Sequence, residues 1–292
     1  MGEPFIGSEA LAAGTLTRHQ LRTKYVAVHR DIYVQRGTRP SALVRARAVW
    51  LRSRRRGVLA GYSAAALHGT RYIDASLPAN IIDTNRRIER GVSVWQDTLD
   101  DDEVCGIGEM SVTTPLRTAI DLARKYPDDV AVLDALARAA RLTADDLQAA
   151  AERYRGWRGI KQARDTIAMV DPGAESPRET WLRLLLMRAG FPRPATQYPI
   201  LNEYKVLIGE VDLAWPELKI AVEYEGRHHM DPGQARKDIA RIEEMVEVQW
   251  AVVRVTAADP AAVIVRRVFT ARARRGAVDA VDLRVDAGSW AS

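Results

Sequence analysis

A run of helix-breaking residues, Asp171-Pro172-Gly173-Ala174, lies beyond the middle of the chain and limits what the chain can fold into. Proline lacks an amide hydrogen and glycine favours turns, so a helix cannot continue through this segment. Mainly helical patterns precede it, whereas the residues from Glu175 onward predict a helix, strands, a helix, a strand and a last helix. With 292 residues, 47% of them hydrophobic, the chain is long enough for two domains, which we place on either side of this segment.

The cysteine count restricts the chemistry that the chain can carry. Cys105 is the only cysteine, so an intrachain disulfide and a thiolate metal cluster are excluded, and a metal ion would need carboxylates or histidines. The start of the chain lacks the zones of a signal peptide, and no apolar run approaches the length of a spanning helix. We therefore expect a cytoplasmic protein that does not enter a membrane.

Positive charge is concentrated at the start of the chain. The formal net charge is +5, but residues 1–57 contain twelve arginines and lysines against three acids, so they carry +9 and the remainder −4. This distribution predicts a polyanionic partner, and DNA is the one we favour. A solvated basic face that serves only solubility would have the same composition.

The first residues follow the pattern of a helix, a tight turn, a second helix and a hairpin. Ser8 is placed to cap a short first helix, and Thr17 with Gln20 forms a capping box that begins the second. Alternating residues over 26–28 and 32–34 predict a small antiparallel hairpin. This order is typical of a winged helix-turn-helix.

The second helix has the features of a DNA-recognition helix. Helical spacing places Arg18, Arg22 and Tyr25 on one face and leaves Leu21 to pack inward. The residues that we predict to bind nucleic acid here are Arg18, Arg22, Lys24 and Arg30. The run Arg52, Arg54, Arg55 and Arg56 is expected to add affinity.

Residues 8–37, SEALAAGTLTRHQLRTKYVAVHRDIYVQRG, resemble the N-terminal region of AbiEi-type antitoxins, and 60–69 and 113–124 resemble the segment that follows in that group. The resemblance implies a DNA-binding winged helix-turn-helix and a role as an antitoxin or transcriptional autorepressor. We assign no catalytic role to the two later segments. The region 39–171 is predicted to be mixed and mainly helical, with short strands near 79–82 and 92–96.

The part after the break brings acidic residues to neighbouring strands. Residues 209–215 and 220–226 predict two strands joined by a tight turn, and hence an antiparallel hairpin. Asp212 lies on the first strand, and Glu223 and Glu225, two residues apart, project from one face of the second. Carboxylates of the two strands can therefore converge.

These carboxylates suit a metal ion that assists phosphodiester hydrolysis. Oxygen ligands are those that Mg²⁺ prefers, and the bound ion neutralises the scissile phosphate and supplies a hydroxide. We predict that Asp212 and Glu223 hold Mg²⁺, with Mn²⁺ as a possible substitute. Glu179, in the first turn of a helix that begins after Ser176, completes the set directly or through water.

Three segments of this part resemble the very-short-patch repair endonucleases and their relatives in the PD-(D/E)XK superfamily: Ser176-Pro-Arg-Glu179, Val211-Asp-Leu-Ala-Trp-Pro216 and Val222-Glu-Tyr-Glu-Gly-Arg-His-His229. The likeness continues through a basic helix near 236–241 and a buried strand over 249–256. It implies a restriction-endonuclease-like α/β domain. The predicted catalytic residues are Glu179, Asp212, Glu223, Glu225, His228 and His229, either histidine being able to move protons. Arg236 and Arg241 are predicted to face phosphates, although solvation is equally compatible with the pattern.

The chain departs from the superfamily at one position. The usual lysine, two residues after the second acid, is replaced by Glu225. The tripeptide Glu217-Leu218-Lys219 spells the motif literally, but it follows the proline of the connecting turn, so we prefer Glu223 to Glu217. The cysteine-containing zinc site of the very-short-patch enzymes cannot be present with one cysteine.

The predicted fold class is α+β/α/β, with a winged helix-turn-helix over 1–38, a middle region over 39–171, a nuclease domain over 172–275 and a tail over 276–292. The leading hypothesis is a Mg²⁺-dependent DNA endonuclease or nickase, whose partners include DNA and a repair protein. The alternative is an AbiEi-like autorepressor that binds a cognate toxin through an inactive nuclease-like domain. An RNA-cleaving effector is a third reading. The acids could also be the exposed alternate residues of a half-buried hairpin.

Overall fold

The computed structural model describes residues 2–85, 87, 89–225, 232–278 and 281, without the side chains of 232–235. The chain forms two compact units that meet in sequence between Pro172 and Gly173, at the predicted helix-breaking segment. Helices and strands are both abundant, so the molecule is a mixed α and β protein. In the part of the chain that the structure describes, no helix is long and apolar enough to cross a membrane.

The first unit begins with two helices and a small sheet. The elements are β1 (Phe5–Ile6), α1 (Gly7–Ala12), α2 (Arg18–Lys24), β2 (Tyr25–His29) and β3 (Ile32–Gln35), and the antiparallel sheet has the order β1-β3-β2. The predicted capping box is confirmed, because the Thr17 hydroxyl accepts the Gln20 amide at 3.1 Å and the Gln20 side chain accepts the Thr17 amide at 2.8 Å. The predicted hairpin is also confirmed, and β1 adds a strand that was not predicted.

The prediction that Ser8 caps the first helix is wrong. Helix α1 begins at Gly7, the residue before Ser8, so Ser8 lies inside its first turn. The Ser8 amide and hydroxyl donate to the two carboxylate oxygens of Asp31, at 2.8 and 2.6 Å. Although burial opposes ionisation, hydrogen bonds from Ser8 and Arg54 lower the pKa of Asp31. A carboxylate from the hairpin turn therefore satisfies the helix start.

In its described residues, the rest of the first unit combines six α-helices with a five-stranded sheet. The helices are α3 (Ala42–Arg52), α4 (Gly61–Leu67), α5 (Pro115–Lys125), α6 (Val130–Ala140), α7 (Ala144–Arg153) and α8 (Ile160–Ala168). The strands are β4 (Val58–Leu59), β5 (Ala79–Ile82), β6 (Val92–Trp95), β7 (Val104–Ile107) and β8 (Met110–Thr113), in the order β6-β5-β4-β8-β7. The sequence predicted β5 and β6 but missed β4, β7 and β8. Strand β4 has only two residues, and β7 contains a glycine.

A buried ionic network explains the segment 113–124. Thr114 caps α5, and Arg117, one turn later, is fully buried. The Arg117 guanidinium donates to Asp121 at 2.9 Å and to Glu103 at 2.6 Å. A buried charge is tolerated only with such partners. The segment therefore has a structural role, since it carries buried charges that pair with each other and with Glu103.

The second unit is a four-stranded sheet with helices. Its elements are α9 (Pro177–Arg188), β9 (Ala195–Leu201), β10 (Leu207–Trp215), β11 (Ile220–Glu225), α10 (Pro232–Glu247), β12 (Ala251–Thr256) and α11 (Ala261–Arg274). The sheet order is β12-β11-β10-β9; β9, β10 and β11 are antiparallel, whereas β11 and β12 are parallel. The predicted order of elements and the predicted hairpin of β10 and β11 are confirmed.

Both faces of this sheet are covered. Leu213 and Val222 belong to a core that includes α9 and α11, whereas Ala214 and Ala221 pack with Met245 of α10. Alternation along β11 therefore places Glu223 on the α10 side.

The buried face of α9 and the C-terminal extent of the core both differ from the predictions made from the sequence. The predicted buried stripe of α9, Trp181, Leu184 and Leu185, is too narrow, since Leu182 and Leu186 are fully buried and Trp181 only partly so. Val281 packs against the core of the unit, so this core extends past residue 275.

Candidate active site

Asp212 lies where β10 and β11 stop pairing. The last paired residues are Leu213 and Val222, and the next backbone donor, the Tyr224 amide, donates to Asp212 Oδ2 at 2.6 Å instead. The other carboxylate oxygen of Asp212 accepts no hydrogen bond from a described residue. The side chain is thus oriented by one oxygen and has the other available.

Glu223 is held by an arginine of α10. The Arg241 guanidinium donates to both carboxylate oxygens of Glu223, at 2.6 and 3.2 Å. Only 9% of Glu223 is exposed, so this two-point pair compensates the cost of burying the carboxylate. Gly209 makes room for it, because a Cβ there would lie 2.9 Å from Cδ of Arg241. Arg241, predicted to face phosphate, therefore contacts a predicted metal ligand.

Glu179 is fixed at the start of α9, as predicted from Ser176. The Ser176 hydroxyl donates to Glu179 Oε1 at 2.8 Å, and the Glu175 amide donates to Oε2 at 2.7 Å. Gln197 of β9 also donates to Oε2, at 3.0 Å. The strand register puts Gln197 opposite Asp212, and its φ of 46° departs from strand geometry. Sequence reasoning missed Gln197, since a glutamine in a strand carries no distinguishing signal.

The electrostatics show that three predicted acids are close together. Burial, together with the charges of Glu179 and Glu223, raises the pKa of Asp212 to about 6, although the Tyr224 amide and Arg241 act in the opposite direction. The hydrogen bond to Glu223 in turn raises the pKa of Arg241. The charges of Glu179 and Glu223 thus act on Asp212, so the three predicted acids lie close to one another in the second unit.

The donor set suits a divalent metal ion in charge and type. Asp212 and Glu223 both interact with the Arg241 guanidinium, the charge of Glu179 also acts on Asp212, and carboxylate oxygen is what Mg²⁺ prefers. Among the described residues, however, no three His, Cys, Asp or Glu side chains are close enough to hold a metal as they stand. A cation at Asp212 would have to compete with Arg241 for Glu223.

Glu225 lies on the same strand as Glu223 but has another partner. It forms an ion pair with Arg254 of β12, a residue that is paired in register with Glu223. The side chain of Glu225 is 33% exposed. Arg254 therefore brings positive charge next to Glu225, and the sequence pattern did not point to Arg254.

The acids of the hairpin are not simply the solvent-exposed residues of its outer face. Glu223 is buried, and Asp212 and Glu225 are only partly exposed. Glu217 and Lys219 lie at the end of the hairpin, as expected, where Lys219 Nζ donates to the Val248 carbonyl at 3.1 Å.

The remaining predicted residues fall into three groups. Arg236 is exposed on α10. His228 and His229 lie outside the described residues. The predicted nucleic-acid-binding residues of the first unit are all exposed and form no ion pair with a described residue; these are Arg18, Arg22, Lys24 and Arg30. Leu21, predicted to pack inward, is buried.

Comparison with known proteins adds relatives without a described activity. The chain is 35% identical over 150 residues to "Uncharacterized protein MT2308" of Mycobacterium tuberculosis strain CDC 1551 / Oshkosh and to "Uncharacterized protein Rv2248" of strain ATCC 25618 / H37Rv. The match covers 50% of this chain and 55% of each relative, so the chain spans about half the length of the curated relatives it matches. No family model matches the chain. No solved structure matches it.

Proposed function

We propose that this protein is a Mg²⁺-dependent DNA endonuclease or nickase. In this proposal the second unit is a restriction-endonuclease-like domain, and the first unit binds DNA through a winged helix-turn-helix. The observation that carries the proposal is the convergence of Glu179, Asp212 and Glu223 at a site where the pKa of Asp212 rises to about 6. Clustered, partly buried carboxylates destabilise a fold unless a cation or a proton joins them, so they point to a function.

Each residue has a distinct part in the proposed reaction. Asp212 and Glu223 would hold the metal, and Glu179, oriented by Gln197, would complete the ligands directly or through water. Mg²⁺ held by these residues, or Mn²⁺ in its place, would neutralise the phosphate and supply a hydroxide. If Glu223 bound the metal, Arg241 would lose its ion pair with Glu223 and could contact the phosphate. Arg254 would supply positive charge near Glu225.

A binding function is the second candidate, and two contacts favour it. Arg241 already neutralises Glu223, and Arg254 already neutralises Glu225. A nuclease-like domain that had lost its metal would be stabilised by such pairs. The protein would then be an AbiEi-like autorepressor or antitoxin that recognises DNA and a cognate toxin.

Cleavage of supercoiled plasmid separates the two functions. Purified protein is incubated with plasmid in Mg²⁺, Mn²⁺ or EDTA, and we expect nicked or linear product only with a metal. Asp212→Ala and Glu223→Gln should abolish cleavage, whereas Glu217→Gln, an exposed acid of the same hairpin, is the matched control and should be nearly silent. Equal losses of cleavage activity in Glu217→Gln and Glu223→Gln would show that the active site had been assigned to the wrong part of the hairpin. Cleavage product from pure Asp212→Ala protein would contradict the proposal.

Oligonucleotide substrates test whether the protein cleaves DNA or RNA. A single-stranded RNA and a DNA of the same sequence are compared under the metal condition that cleaves plasmid. Preference for RNA would replace the DNA assignment with an RNA-cleaving effector. Inactivity on all substrates, with retained binding to DNA, would favour the autorepressor.

A further inference from the structure

An arginine-lined cleft lies in the first unit. Its volume is about 530 Å³. Five arginines line it together with Asn85 and Glu89: Arg30, Arg52, Arg54, Arg56 and Arg87. Arg30 comes from the turn of the β2–β3 hairpin, the next three from the end of α3, and Arg87 from the β5–β6 connection. Three separate parts of the chain thus bring guanidinium groups to one place.

The acids near the cleft do not neutralise it. Among the described residues that line the cleft, Glu89 is the only acid; it is shared by His29 Nδ1, 2.7 Å away, and by Arg52 Nε, at 2.6 Å. Asp31 accepts a hydrogen bond from Arg54 at 3.0 Å. Arg30, Arg56 and Arg87 form no ion pair with a carboxylate of the described residues. The cleft therefore keeps a surplus of positive charge.

The backbone at the end of α3 directs these side chains. Arg54 and Arg55 both have positive φ, 56° and 64°, a conformation that residues with a Cβ rarely adopt. Their amides donate to the Leu51 and Trp50 carbonyls at 2.9 and 3.1 Å, which holds the turn. The turn sends Arg55 to Glu9, in a two-point ion pair, while Arg54 and Arg56 line the cleft. Strained backbone of this kind is concentrated at functional sites.

The lining selects for phosphate rather than for a base or a hydrophobic molecule. Among the described residues, none that lines the cleft is aromatic or aliphatic, so these residues offer no surface on which a base can stack. Guanidinium groups match phosphate oxygens in geometry and charge. We propose that this cleft binds phosphate groups of the DNA backbone, independently of base sequence. The proposal rests on the DNA-binding function proposed for the first unit.

The salt dependence of DNA binding tests this cleft. Binding of a labelled duplex to full-length protein is followed by fluorescence anisotropy in EDTA over a range of KCl concentrations. Arg56→Ala with Arg87→Ala should flatten the slope of log affinity against log salt by about 1.8, since each lost phosphate contact contributes roughly 0.9. Two duplexes of unrelated sequence should lose affinity by the same factor, because phosphate contacts carry no sequence information.

Two controls separate the cleft from total charge. Arg155→Ala with Arg158→Ala removes the same charge from exposed positions of the same unit and should change the slope little. Arg56→Lys with Arg87→Lys keeps the charge and should retain the slope. Equal flattening by the Arg155/Arg158 pair would overturn the proposal, as would an unchanged slope in the Arg56/Arg87 alanine variant with normal thermal unfolding.

Binding of inorganic pyrophosphate distinguishes a site for the phosphates of the DNA backbone from a site for a small oligophosphate. Calorimetry is used to compare its binding to the wild type and to the Arg56/Arg87 alanine variant. Tight binding that the variant loses, with no change in DNA affinity, would make the cleft a site for a small oligophosphate and overturn the DNA assignment. Because every binding measurement is made in EDTA, failure here is distinct from failure to cut plasmid with Mg²⁺.

Discussion

The carboxyl group of Asp212 ties the stability of the second unit to its proposed chemistry. Its pKa in the folded protein, about 6, lies above the ordinary value of 3.8. Folding therefore favours the protonated form, and the free energy of unfolding falls as pH rises between these two values. The penalty above pH 6 is on the order of 2–3 kcal/mol. A bound divalent cation would remove this penalty.

Asp212→Asn should separate the charge from the hydrogen bond. The amide oxygen can still accept the Tyr224 amide, so we expect the variant in EDTA at neutral pH to be more stable than the wild type, by about 2 kcal/mol. Urea unfolding at neutral and acidic pH measures this, and the difference should vanish below the ordinary pKa of aspartate. Mg²⁺ should stabilise the wild type and leave the variant unchanged. Equal stabilisation of both would place the metal elsewhere.

Glu225→Lys tests the position where the superfamily has a lysine. Because Glu225 pairs with Arg254, a lysine would put two like charges together, and we expect slower cleavage and a small loss of stability, up to about 1 kcal/mol. Single-turnover kinetics and urea unfolding give the two values. Glu225→Gln, which removes the charge without adding one, is the control. Faster cleavage by the lysine variant would instead identify Glu225 as an eroded position at which the usual residue restores activity.

At the scale of elements, α2 is the helix that would enter a DNA groove if the proposed DNA-binding function holds. Its side chains Arg18 and Arg22 are exposed, one turn apart, and Leu21 anchors the opposite face. The capping box of Thr17 and Gln20 fixes where the helix begins. The helix therefore presents its basic face on a defined support.

Arg18→Ala with Arg22→Ala should reduce the salt dependence of DNA binding. We expect the slope of log affinity against log salt to flatten by about two, because two phosphate contacts are lost. Anisotropy with a labelled duplex in EDTA measures it, and Mg²⁺ stabilisation of the second unit should be untouched. A slope equal to that of the wild type would show that this face is only solvated and would favour a protein partner for the region.

At the scale of the whole molecule, the two compact units predict a division of labour. The proposed catalytic carboxylates all lie after Gly173, whereas the basic face of α2 and the arginine cleft lie before it. Each unit has its own apolar core. The chain can therefore be tested in parts.

Residues 173–292 alone should fold and cut DNA. The fragment keeps Val281, which packs in its core, and contains Glu179, Asp212 and Glu223. We expect cleavage at high DNA concentration and a marked loss at low concentration, because the affinity supplied by the first unit is missing. Circular dichroism checks folding and plasmid nicking checks activity, with the Asp212→Ala fragment as control. A folded but inactive fragment would show that the first unit takes part in the reaction.

Local features of this protein followed from the sequence because the interactions that make them span a few residues. The capping box of Thr17 and Gln20, the start of α9 at Ser176 and the hairpin of β10 and β11 each depend on neighbours in the chain. The break at 171–174 was visible for the same reason. Candidate acids could be named from strand alternation alone.

Tertiary structure alone decided the partners of those acids. Arg241 reaches Glu223 from another helix, Gln197 reaches Glu179 from another strand, and Arg254 lies beside Glu225 because β12 adds in parallel. The short strand β4 exists only through pairing with β5 and β8, and the arginine cleft needs three separate segments. Pairing between distant segments depends on register and packing, and residue type and spacing along the chain do not encode these directly.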